Sequence, residues 1–377
     1  MSDSTALPHV LSIPSYPPGR PISAVAREFG LDPAAIVKLA SNENPMGAAP
    51  GALAAMRAAA DEIALYPDFD CYALRQALAA ALDQPFEHIL PGAGSSDLIL
   101  LAARGYLGAG RNAVLPQYSF AAYEGAIRAV GAAPVIAPAR GWDADLEALL
   151  AAVDARTGVV FLATPNNPTG AMLSPADVEA FVAAVPGHVL VVLDEAYRDF
   201  LDEADRPRLA RLFSVRENLL VLRTFSKIHG LAALRVGYGL ANPGIISVLK
   251  RLQMPFSVNA AAEAAAVAAL ADPVFADAYR RLNAVERNRM SAALAAAGFD
   301  AAPSHGNFLL VHVGDGGAIF QALMRRGVIV RPVANYGLPA WVRVSVGLPA
   351  QNAAFLGHLS ELKPHGSRAA QPAKASL

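Results

Sequence analysis

Two kinds of hydrophobic pattern divide the chain. From about residue 50 to 270, short β-branched runs alternate with alanine-rich stretches. Residues 113–115, 135–137, 159–163, 189–193, 219–222 and 236–240 read as strands. Their near-continuous apolar character fits strands buried on both faces. Residues 98–106, 175–184 and 260–270 read as helices. Strands and helices in alternation predict an α/β fold with a mostly parallel sheet.

After about residue 270 the pattern changes. A long charged helix over 272–297 leads to strand-like 308–313, a helix over 318–326, then apolar runs at 328–330 and 341–346. This predicts a smaller α+β domain. The resulting division is an N-terminal segment (1–48) joining the small domain, a large domain (49–270), the small C-terminal domain (271–362) and a disordered tail (363–377). The proline-rich stretch Ile13-Pro-Ser-Tyr-Pro-Pro-Gly-Arg20 is expected to be extended.

Composition narrows the function classes. Of 377 residues, 54% are apolar and 17% charged, with a formal net charge of −1. A chain this long and apolar can bury a large core. The charge balance supplies no basic surface for nucleic acid or an anionic membrane. A single cysteine, Cys71, excludes an internal disulfide and a cysteine metal site. The start of the chain lacks a basic-then-apolar leader, and the alanine-rich runs are too short to span a bilayer. A soluble cytoplasmic protein without a metal is expected.

In open α/β sheets, ligands bind beyond the carboxyl ends of the strands. Polar residues follow four of the predicted strands. They are Pro116-Gln-Tyr118, Thr164-Pro-Asn-Asn-Pro-Thr-Gly170, Asp194-Glu-Ala-Tyr197 and Arg223-Thr-Phe-Ser-Lys227. One edge thus receives an aromatic ring, an amide, an acid with a phenol, and a lysine. An arbitrary lysine is ordinarily a solvated surface charge. Lys227 instead ends an apolar strand amid Thr224, Ser226, Gly230 and Arg235. Hydroxyls and a guanidinium suit a phosphate, and an amine between them suits an imine with a phosphorylated aldehyde. Asp194 follows an apolar run, where a helix N-cap is the ordinary role of such an acid. The alternative role is to keep a pyridine nitrogen protonated. Gly92-Ala-Gly-Ser-Ser-Asp97 opens a helix and makes an anion site from backbone amides. A dinucleotide fingerprint would need a third glycine that is missing here.

Together these segments resemble the fold-type I pyridoxal-phosphate aminotransferases of class II, and most closely the histidinol-phosphate aminotransferases. Further stretches carry the likeness: Leu39-Ala-Ser-Asn-Glu-Asn-Pro45, Tyr66-Pro-Asp68, and Gly327-Val-Ile-Val-Arg331-Pro332 followed by Val342-Arg343-Val-Ser-Val-Gly347. The resemblance spans about residues 14 to 350. It departs at Thr164, where the family usually has asparagine, and at Ala93, Ser96 and Asp97, where the phosphate loop commonly reads Asn, Asp and Glu.

The resemblance implies pyridoxal 5'-phosphate as cofactor and Lys227 as Schiff-base lysine and proton shuttle. It implies that Asp194 pairs with the pyridine nitrogen, that Tyr197 and Asn167 bond the phenolic oxygen, and that Tyr118 stacks on the ring. Gly94, Ser95, Ser96, Thr224, Ser226 and Arg235 would hold the phosphate, joined by Tyr66 from the other subunit of a homodimer with shared active sites. Asn42, Tyr16, Arg331 and Arg343 would meet the substrate. The implied reaction moves an amino group between histidinol phosphate and 2-oxoglutarate, in histidine biosynthesis. An aromatic amino acid aminotransferase and a phospho-amino-acid decarboxylase share much of the pattern, because one scaffold hosts several carbanion chemistries.

Overall fold

The computed structural model describes residues 5–13 and 19–362. The chain forms two compact units. One holds residues 43–281 with the described N-terminal residues 5–13 and residues 304–306, and the other holds 19–42, 282–303 and 307–362.

Seven strands build the main sheet of the larger unit: β1 (Ile89–Gly92), β2 (Asn112–Pro116), β3 (Ala133–Ala137), β4 (Thr157–Ala163), β5 (Leu190–Asp194), β6 (Leu219–Thr224) and β7 (Gly237–Ala241). Their order across the sheet is β1-β7-β6-β5-β4-β2-β3. All neighbours are parallel except those of β7, which runs against both β6 and β1. The mostly parallel α/β sheet expected from the sequence is therefore present, with one reversed strand and a first strand that the apolar pattern did not reveal.

The strands are apolar throughout because both faces are covered. Along β4 to β6, Val160, Leu162, Val191, Leu193 and Val221 pack with the alanines of helix Ala260–Leu270. Their alternates Val159, Phe161, Leu190, Val192 and Leu222 pack with Leu98, Ile99 and Tyr123 from helices Ser95–Tyr106 and Ala121–Ala129. Residues of period two thus serve two separate cores. Alanine makes the first helix a thin layer, and it lies against helix Pro50–Ala59, which is similarly rich in small residues.

The smaller unit has a three-stranded antiparallel sheet of β8 (Phe308–His312), β9 (Arg331–Val333) and β10 (Leu338–Ser345), with β10 central. Leu309, Val311, Val342 and Val344 face Met290, Leu294, Phe355 and Leu359. The strand expected at 341–346 begins earlier, because Leu338 and Pro339 continue the extended run past a shift in register at Pro332/Val333. The two residues Val37–Lys38 pair in parallel with Val328–Ile329, so an early segment of the chain completes this unit. Among the described residues, no helix is long and apolar enough to cross a membrane.

Candidate active site

The direction of β7 decides what gathers at the sheet's edge. Gly237, its first residue, lies opposite both Thr224, the last of β6, and Gly92, the last of β1. Arg235, two residues before β7, therefore arrives at the edge where the parallel strands end. The same edge receives Tyr118 after β2, Asn167 after β4, Asp194 at the end of β5, and Ser226 and Lys227 after β6. Strand order reverses between β2 and β4, which is where open α/β sheets form a crevice. The Asn166 side-chain amide bridges that gap by donating to the Tyr118 carbonyl at 3.0 Å.

Gly94 and Arg235 form the most constrained contact. Gly94 has φ of +82°, and a Cβ there would lie 2.5 Å from Nη2 of Arg235. Both its backbone conformation and the guanidinium require a glycine. Gly94 precedes helix Ser95–Tyr106 without a side-chain cap, so the first-turn amides and the helix dipole face outward together with Arg235. Arg235 Nη1 donates to the Ala232 carbonyl at 3.0 Å and lies 3.4 Å from Ser226 Oγ. Thr224 Oγ1 accepts from the Ser226 amide at 3.1 Å. Gly94, Ser95, Thr224, Ser226 and Arg235 thus make an anion cradle, of the kind a phosphate monoester fits. Ser96 is exposed, and Asp97 turns back to accept from the Ala93 amide at 3.1 Å.

Asp194 is 5% exposed. Its Oδ2 accepts from the Tyr123 hydroxyl at 2.8 Å, and its Oδ1 from the Ala196 amide at 3.0 Å. Burial pushes its carboxyl above the ordinary carboxylate range, while these two bonds and the Lys227 charge pull the other way. Asp194 does not cap a helix; it is a buried acid suited to a cationic partner. Tyr197 is also buried, and Lys227 Nζ sits 5.6 Å from the centre of its ring. Asn167, in the loop after β4, is buried as well. Tyr118, at φ of +60°, leans on Trp142. Thr164, the departure from the family pattern, is buried and its Oγ1 accepts from the Leu173 amide at 3.0 Å, so the hydroxyl closes the loop from within.

The residue after Asp194 forms a buried ionic pair. Arg223 Nε donates to Glu195 Oε2 at 2.8 Å, and both side chains are almost fully buried. Neither this pair nor Tyr123 emerges from the sequence reasoning. The segment Ala121-Ala-Tyr-Glu124 carries no local signal of chemistry.

Tyr66 lies apart from this group. It is 82% exposed and stacks on Phe256 at 4.6 Å, with Phe69 against the edge of the same ring. In the other unit, Arg331 and Arg343 face each other across β9 and β10, both buried. Arg343 Nη2 donates to the Ala40 carbonyl at 2.8 Å. Asn42, at φ of +54°, is held by Ser345, whose hydroxyl accepts from the Asn42 amide and donates to its Oδ1. Tyr16 lies outside the described residues.

The buried acid has a consequence for stability. Between the ordinary carboxylate pKa near ~4 and the raised folded value, the folded chain binds more protons than the unfolded chain. Stability of the cofactor-free protein therefore falls as pH rises through that window. Asp194→Asn should flatten this fall, as read from denaturant unfolding at a series of pH values. Identical pH slopes in parent and variant would contradict the assigned environment.

The comparisons with known proteins agree with this geometry. The family model of aminotransferases of class I and II matches residues 34–359. Histidinol-phosphate aminotransferase 2 of Pseudomonas fluorescens (strain Pf0-1) is 49% identical over 362 residues, covering 96% of this chain and 98% of that one. Histidinol-phosphate aminotransferase 1 of Thiobacillus denitrificans is 50% identical over 359 residues, covering 95% and 94%. A crystal structure of histidinol-phosphate aminotransferase from Sinorhizobium meliloti, in complex with pyridoxal-5'-phosphate, superposes with a TM-score of 0.88 at 31% identity, covering 96% and 98%. The fold, the residues at the sheet edge and the extent of these matches lead to one conclusion: this chain belongs to the class I and II aminotransferases.

Proposed function

We propose that the protein transfers an amino group between histidinol phosphate and 2-oxoglutarate, using pyridoxal 5'-phosphate held at the edge of the large sheet. The observation that carries the cofactor is the anion cradle of Gly94 and Arg235 on the same edge as Lys227 and the buried Asp194. The substrate reading rests on relatives that share about half their residues with this chain over nearly its whole length.

When bound, pyridoxal phosphate supplies an electron sink for the pair left behind as a proton leaves the amino-bearing carbon. The protein's own residues do the rest. The cradle of Gly94, Ser95, Thr224, Ser226 and Arg235, together with Ser96 from the same helix turn, would hold the phosphate by charge-assisted bonds. Asp194 would keep the ring nitrogen protonated, and its burial would make that pairing stronger than in water. Tyr197 and Asn167 would hold the ring's phenolic oxygen, and Tyr118 would stack on the ring. Lys227 would anchor the cofactor through its amine, and the same amine is the group placed to move a proton at the reacting carbon. Arg331, Arg343, Asn42 and Tyr16 read the substrate's anionic end, since a desolvated phosphate or carboxylate is costly without paired donors.

Steady-state rates with histidinol phosphate, phenylalanine and tyrosine, each with 2-oxoglutarate, test the substrate. We expect kcat/KM for histidinol phosphate to exceed the others by about a hundredfold. In Arg343→Ala its KM should rise roughly ten- to a thousandfold, from the loss of a charged hydrogen bond and of orientation. Comparable kcat/KM for all three donors would favour an aromatic amino acid aminotransferase, and an unchanged KM would remove Arg343 from substrate binding.

The active unit is a homodimer in which Tyr66 of one chain reaches the phosphate held by the other. Support comes from the exposure of Tyr66 within an apolar patch that includes Ile63, Leu65, Phe69 and Met254. Mixing Lys227→Ala chains with Tyr66→Phe chains should restore activity, because about a quarter of the sites then carry both native residues. No recovery, under conditions where subunits demonstrably exchange, would show that the sites are not shared.

A further inference from the structure

We propose that Tyr123 is a positioning residue for this reaction: its hydroxyl holds the Asp194 carboxylate in the orientation and charge state that the cofactor's ring nitrogen requires. The inference rests on the pyridoxal phosphate reading above and goes beyond it by adding a residue that does not itself touch the cofactor.

The placement follows from the period of the sheet. Leu190, Val192 and Asp194 share one face of β5, and that face packs against helix Ala121–Ala129. Tyr123 projects from that helix with no solvent exposure. Its ring lies flat on Phe161 of β4, with centroids 4.8 Å apart and planes 11° apart, and meets the edge of Phe120. The hydroxyl then falls 2.8 Å from Asp194 Oδ2.

Two donors on two different oxygens fix a carboxylate's rotation. The Ala196 amide holds Oδ1 and is supplied by the backbone, whereas Tyr123 holds Oδ2 from 71 residues away in sequence. The charges bearing on Asp194 are Glu195, which opposes its ionisation, and Lys227, which favours it. A phenol donor adds to the second without adding a charge. By donating to Oδ2 it favours the ionised acid and leaves the acid's negative charge for the ring nitrogen. The aromatic ring already fills its space against Phe161. The hydroxyl is therefore separable from the packing, and Tyr123→Phe isolates it.

The test measures binding to the cofactor-free protein, with pyridoxal phosphate and with its 1-deaza analogue, in which a carbon replaces the ring nitrogen. Parent protein should prefer pyridoxal phosphate. In Tyr123→Phe, affinity for pyridoxal phosphate should fall about tenfold, while affinity for the analogue changes by less than about twofold. Replacing Tyr123 by p-aminophenylalanine, which restores a donor on the same ring, should recover part of the lost preference. A purely structural role weakens both ligands alike, so a preference in Tyr123→Phe within about threefold of the parent's overturns the inference. A p-aminophenylalanine variant that behaves like phenylalanine overturns it as well. Failure of the parent protein to bind pyridoxal phosphate at all would instead reject the cofactor reading, and this inference with it.

Discussion

A carboxylate withdrawn from water at the end of a central strand is the constraint around which the large unit is organised. Leaving Asp194 buried without partners would cost several kcal/mol. The fold meets that cost with the Ala196 amide on one oxygen and the Tyr123 hydroxyl on the other. Burial still raises its pKa despite these two donors. The proposed partner that would complete it is the protonated ring nitrogen of pyridoxal phosphate.

The sheet's topology turns that isolated acid into a site. Parallel strands bring their carboxyl ends to one edge, which delivers Tyr118, Asn167, Asp194 and Lys227 there. The reversed β7 adds Arg235 from an amino end, and β1 adds Gly94 at the start of a helix. The anion cradle and Lys227 therefore adjoin one another, because Thr224 ends β6 and Ser226 and Lys227 directly follow it. The hydrogen-bonded ladder fixes where each strand ends, and short connections carry these side chains on from there.

Much of this is legible in the sequence, for identifiable reasons. Parallel strands covered on both faces read as continuous apolar runs, so β4, β5 and β6 stand out. Helices Pro175–Ala184 and Ala260–Leu270 match their expected bounds because Ser174 and Asn259 cap them. Residues that follow strands directly, such as Asp194 and Lys227, inherit their placement from those strands. What escapes the sequence is relational. Strand β1 has four residues and contains Pro91, too short a pattern to detect. The direction of β7 leaves no trace in its composition. Tyr123 sits on a helix of small residues, and only the register between that helix and β5 gives its hydroxyl a partner.

The central claim is that one lysine of this chain, Lys227, carries the cofactor. Borohydride reduction of the protein with bound pyridoxal phosphate, followed by digestion and mass spectrometry, tests it most directly. The account predicts a single pyridoxyl adduct on the peptide bearing Lys227, and its disappearance in Lys227→Ala without loss of the folded protein. An adduct on Lys38 or Lys250, with Lys227 unmodified, would contradict it.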